Sequence, residues 1–205
     1  MNKAKIKKVF KIIGIIYLII ISLFAFSGLT LFVRSNLISL DFVQENESER
    51  EKLMIKLDKE YCLLDNSLKS LDDIDCLDSE VRNITNAKLV IRNTDTLNSS
   101  GILGKAFPVV DTIYINKTLY KNRNNNSYFN DSYLHTLAHE YIHVSNFTIN
   151  ERYTEFTSFK VLYESDNPYL KRAGIYIALI SLQAEEDYKE YNCSSYIINY
   201  FKTVN

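Results

Sequence analysis

Residues 12–33, IIGIIYLIIISLFAFSGLTLFV, carry no charge over 22 positions, and a stretch of that kind has few ways to fold. At helical rise it extends about 33 Å, enough to cross a bilayer core of about 30 Å. In lipid the backbone has to satisfy its own hydrogen bonds, so the segment is expected to be a helix. Five lysines (Lys3, Lys5, Lys7, Lys8 and Lys11) precede it and only Arg34 stands just after it. The positive-inside rule then puts the amino terminus in the cytoplasm and everything beyond Arg34 outside. A signal peptide cleaved near Ala25-Phe26-Ser27 is the competing expectation. The apolar run continues through Leu29, Leu31, Phe32 and Val33, longer than a signal core, which favours an uncleaved anchor. The expected organisation is a basic cytoplasmic tail (1–11), a transmembrane anchor (12–33), a connector (34–45) and one extracytoplasmic domain (46–205).

Charge says little about partners beyond one exclusion. With 24 Lys and Arg against 25 Asp and Glu, no concentrated basic face is visible, so no nucleic-acid partner is expected. Cys62, Cys76 and Cys193 fall in the exported part, where a disulfide is chemically permitted. An odd number leaves one thiol over; a Cys62–Cys76 bridge and three buried free thiols are the two alternatives. None has the close Cys pairing of a zinc knuckle.

Along the domain, Leu53, Leu57, Tyr61, Leu64, Leu68 and Leu71 recur at three and four, which reads as an amphipathic helix with one face on the core. The acidic run LDDIDCLDSE reads as turns, AKLVIRN as a strand, and TIYINK (112–117) as a second strand with Ile113 and Ile115 on one face. Gly101, Gly104 and Pro108 mark a loop between them, and KNRNNNSYFND a second polar loop. ERYTEFTSFKVLY, YLKRAGIYIALISLQ and a tyrosine-rich closing segment read as helices. The fold class expected is α+β, mostly helical with a small sheet, preceded by one transmembrane helix.

All three histidines lie in LHTLAHEYIHV (134–144). On a helix, Leu134, Leu137, Ala138, Tyr141 and Ile142 form an apolar face and His139 and His143 fall opposite. Residues four apart project side by side, so two imidazoles can reach one ion at about 2.0–2.1 Å. Glu140 stands beside that ion without ligating it, where a carboxylate can take the proton of a water acidified by the metal. His135 and His143 are about 12 Å apart along the axis and cannot both bind one ion directly, which leaves His135 an outer-shell, substrate-facing or surface role.

A catalytic zinc site needs a third protein ligand, and with the histidines used a carboxylate must supply it. Thr148-x-x-Glu151 fits a capping box, which would fold Glu151 back on the helix start. Glu155, one turn deeper, is then the expected third ligand, with Glu151, Glu164 and Asp166 as alternatives.

HEYIH followed by ERYTEFTSFKVL resembles the zincin metallopeptidases of the glutamate-ligand type, the gluzincins. The run from LAHEYIH through ESDNPYLKRAGIYIAL is similar to a group of bacterial membrane-anchored, zinc-dependent metallopeptidase-like proteins, over roughly residues 130–182. The resemblance implies a zincin-like domain, zinc held by His139, His143 and Glu155, and Glu140 as the catalytic carboxylate. Where such proteins usually have a small residue after the third ligand, this chain has Phe156. The implied activity is hydrolysis of peptide bonds in extracytoplasmic proteins or peptides.

On that expectation the TIYIN strand would line the cleft and pair with extended substrate. Tyr133, Tyr153 and Arg152 are candidates to stabilise a developing oxyanion. Two rival readings are a metal-stabilised binding module without catalysis and a membrane-anchored assembly protein built on the 46–71 helix.

Overall fold

The computed structural model describes residues 3–37, 47–68, 75–87, 90–96, 102–183 and 193–204, the side chains of 3–11, 36, 75 and 76 excepted. The architecture is α+β: eight helices and a three-stranded sheet among the described residues. Helix α1 (Lys3–Leu37) contains the apolar run and extends four residues beyond it, with a 24-residue window, Ile12–Ser35, apolar and long enough to cross a membrane. The rest of the expected connector, 38–45, lies outside the described residues.

Helix α5 (Ser127–Ser145) is the central element. Its flanks are taken by α6 (Glu151–Tyr163), α7 (Pro168–Gln183), α3 (Asp75–Ile84), α4 (Lys117–Asn122) and the sheet. The apolar face read from the sequence is buried, and so is the opposite face: His139, Glu140 and His143 are all below a tenth exposed. Helix α2 (Glu47–Ser67) packs on α7 and on α8 (Ser194–Val204), burying Leu53 and Leu57, with Tyr61 and Leu64 packed on the same core. Leu71 lies outside the described residues.

Three segments depart from the expected elements. The acidic run holds a helix, α3, because Leu77 and Val81, four apart, both reach the core. Helix α4, capped by Asn116, takes Lys117 from the expected strand and the first two residues of the KNRNNNSYFND loop, and α5 starts inside that loop at Ser127, capped by Asn126 accepting from Phe129 N. The glycine-marked loop holds a strand, β2 (Gly104–Phe107).

The sheet order is β1 (Ile91–Asp95), β3 (Thr112–Asn116), β2. β3 pairs in parallel with β1 and antiparallel with β2, the latter joined to it through a 3-10 turn at Pro108–Val110 and Asp111 in the left-handed region. Ile113 and Ile115 are fully buried, as their alternation requires. β3 is therefore the central strand, with both edges used, so TIYIN has no free edge for a substrate and that expectation is corrected. The edge beside α5 belongs to β2.

Two glycines allow close approaches. A Cβ on Gly174 in α7 would stand 2.5 Å from the backbone N of Tyr163, so α7 crosses the end of α6 backbone to backbone. That crossing fixes α6, which carries Glu151 and Glu155. Cys62 is a free, exposed thiol and Cys193 a free, buried one; the side chain of Cys76, the other half of the expected bridge, lies outside the described residues.

Candidate metal centre

The site is built where α5 ends and α6 begins. Helix α5 closes with Phe147 in the left-handed region (φ 48°), Phe147 N donating to Val144 O and Thr148 N donating to His143 O. This is the paired-bond C-terminal motif usually made with glycine; a phenylalanine there costs about 1–2 kcal/mol. The turn has a chemical result. It swings the Thr148 carbonyl onto the ring of His143, whose Nδ1–H donates to it at 2.9 Å. With the proton held on Nδ1, the Nε2 lone pair is free to face the cleft.

The expected capping box does not form. Asn150 caps α6, its side chain accepting from Tyr153 N at 3.0 Å, while Thr148 Oγ1 accepts from Asn150 N two residues earlier. Glu151 is thereby the first residue of α6, and its side chain is not spent on the cap. Its Oε2 lies 3.0 Å from His139 Nε2 and 3.1 Å from His143 Nε2, and the two Nε2 atoms are 3.0 Å apart.

Glu155 meets the other side of His139. Its Oε2 accepts from His139 Nδ1 at 2.8 Å and from His135 Nε2 at 2.9 Å. Two clusters able to hold an ion thus share His139 through opposite ring nitrogens: His139, His143 and Glu151, and His135, His139 and Glu155. Only the first includes both histidines of the His-Glu-x-x-His motif. Ligand atoms about 2.0–2.1 Å from a tetrahedral zinc lie about 3.3–3.4 Å apart, so this first cluster has to open by only about 0.3 Å to hold one. Two imidazoles and a carboxylate also suit zinc chemically. Glu155 then corresponds to the carboxylate that orients a ligating imidazole from behind.

Charge in the cluster is tightly arranged. Burial works against a charged His139, but its hydrogen bonds to Glu151 and Glu155 outweigh this and raise its pKa to about 10. Burial likewise opposes ionisation of Glu151, yet the two imidazoles pull it down to about 2, and His135 and His139 hold Glu155 well below the usual carboxylate range. Glu140 goes the other way: burial raises it, and neighbouring imidazoles only partly compensate.

Above these groups is a cleft of about 600 Å³, with Ile102 to Ala106 on one wall and α5 on the other, and with Thr148, Ile149, Glu151 and Glu155 closing it. Gly104 of β2 sits directly on Glu140. Glu164, Asp166, Tyr133, Tyr153 and Arg152 do not line the cleft. Tyr133 is fully buried, bonded instead to Asp78 and Arg92. The residue that sequence reasoning missed is Gly104; its only signal was a glycine inside a short strand, which marks a close backbone approach.

Compared with family models, with curated proteins and with solved structures, the chain matches none.

Proposed function

We propose that the protein is a zinc-dependent metallopeptidase, anchored by α1 with its amino terminus in the cytoplasm and its domain outside. The observation that carries the reading is the convergence of His139 Nε2, His143 Nε2 and Glu151 Oε2 beside Glu140, at the floor of a cleft. In this reading those three residues hold the metal and Glu155 orients His139, so the third-ligand role passes from Glu155 to Glu151. Zinc, when bound, supplies a Lewis acid that polarises a scissile carbonyl and acidifies water.

The chain's own residues do the rest. Glu140, made a better proton acceptor by burial, takes the proton of the attacking water as the new C–O bond forms and passes it to the amine as the C–N bond breaks. The edge of β2 that pairs with no strand among the described residues offers backbone N–H and C=O groups to an extended polypeptide, which favours peptides over compact small molecules as substrates. Five lysines before the span against one arginine just after it support the orientation.

The test is metal content by mass spectrometry of the full chain in detergent micelles, together with hydrolysis of a peptide library. About one zinc per chain is expected, lost in His139→Ala. Glu140→Gln should keep the metal and lose hydrolysis. Equal activity in wild type and Glu140→Gln, or no zinc retained after it is supplied, would overturn the reading; metal held with no hydrolysis of any peptide would favour a binding module.

A further inference from the structure

We infer that the lip of the cleft docks on the bilayer that α1 enters, so that the polypeptides reaching this site are those lying along the membrane surface. The docking rests on α1 being a membrane anchor, and the choice of polypeptide rests on the peptidase reading.

Of the twelve large hydrophobics exposed outside α1 among the described residues, six are Ile102, Leu103, Phe107, Val109, Val110 and Ile149. They come from two segments far apart in sequence, yet Ile102, Leu103 and Ile149 line the same cleft. Scattered apolar residues need no explanation, but a patch of this kind marks an interaction surface.

The end of α1 says what covers it. Ser35, the last residue of the apolar window, is buried: Ile149 N donates to its Oγ at 2.8 Å, and Thr148 Oγ1 lies 3.3 Å away. The 3-10 turn carrying Val109 and Val110 also packs against α1. A group hydrogen-bonded to the last residue of a span stands at headgroup depth, where interfacial apolar faces sink about 5–10 Å into the bilayer. Arg34 and Lys105 are exposed cations at this end of the molecule, the Lys105 ammonium resting 5.0 Å from the Phe107 ring centre, and Asp111 is the exposed acid beside Val110. Cations with snorkelling reach beside an apolar patch suit anionic headgroups.

The chain has no tryptophan, so a single introduced one reports its own surroundings. Full-length Val110→Trp, Ile149→Trp, Ile55→Trp and Leu23→Trp would each be reconstituted into phosphatidylcholine–phosphatidylglycerol vesicles with plain or brominated acyl chains. Trp at 110 and 149 should be blue-shifted and lose much of its emission to the brominated lipid, Trp at 23 more so, and Trp at 55, on the exposed face of α2, should be unaffected. Quenching at 23 without quenching at 110 and 149, or equal quenching at 55, would overturn the docking while leaving the anchor intact. No quenching at 23 would overturn the anchor and the docking together. Cleavage activity is read separately and does not enter either outcome.

Discussion

A Cβ on Gly104 would stand 2.5 Å from Oε1 of Glu140 and 2.6 Å from its Cγ. The strand backbone therefore acts as a stop against which the glutamate side chain rests. Gly104→Ala must push one of them aside, and a displacement of about 1 Å at a reacting group can cost about 100-fold in rate. We expect at least a tenfold loss of kcat with zinc content unchanged, read by steady-state kinetics beside metal analysis. Full activity in Gly104→Ala would mean that Glu140 is not held by this contact.

Glu151 and Glu155 should separate in a zinc competition titration against a chelator. Glu151→Gln removes a charged oxygen from the cluster of two Nε2 atoms and should abolish tight binding. Glu155→Gln removes only the acceptor behind His139 and should weaken binding by about 10–100-fold. The opposite ranking would return Glu155 to the ligand role.

Stability of the metal-free protein should peak in mildly acidic solution. His139 is raised from 6.5 to about 10, so its contribution is complete below its unfolded value and is lost as pH rises through about 10. Glu151 is lowered from 4.5 to about 2, and Glu155 is lowered too, so their contributions are complete above 4.5 and are lost as pH falls through their folded values. Between 4.5 and 6.5 all three are in force. Zinc must displace the His139 proton, so zinc affinity should fall as pH falls. Denaturant midpoints across pH, with and without zinc, would show both trends; a metal-free midpoint that keeps rising from pH 6.5 through 10 would refute the first.

Outside the cleft lining, Arg172 binds fully buried Asp131 at 3.0 Å, an acid that also accepts from Tyr61 at 2.7 Å. Arg172→Met would leave that carboxylate without its cation, and we expect a loss of about 3–5 kcal/mol in denaturant unfolding. Asp131→Asn combined with Arg172→Met should recover part of it. A double variant that loses the full sum of the two single losses would show that the two residues act independently.

The motif on α5 was legible because helical spacing is enough to bring His139 and His143 together, whatever surrounds them. Its burial was not, since only the assembled fold shows that sheet and helices cover the polar face. The cap of α6 differs from the expected one for a local reason. Thr148 and Asn150 are both good caps, and the sequence pattern favours Thr148; the helix stop of α5 uses Thr148 first, so Asn150 caps α6 and Glu151 is released. β2 was missed because Gly-Lys-Ala-Phe has no β-branched residue and only four positions. The small residues that hide it as a strand are the ones that let it approach α5.

The Thr148–Ile149 link has a consequence for anyone who would cut this protein into a soluble piece. The carbonyl of one peptide group turns the His143 ring, and the N–H of that same group is hydrogen-bonded to the last residue of the apolar window. A fragment beginning after residue 36 would leave the Ile149 N–H without its Ser35 acceptor, two residues before Glu151. Such a fragment would lose one of the contacts that hold the turn aiming the imidazole, so α1 belongs to the frame of the site as well as being an apolar span.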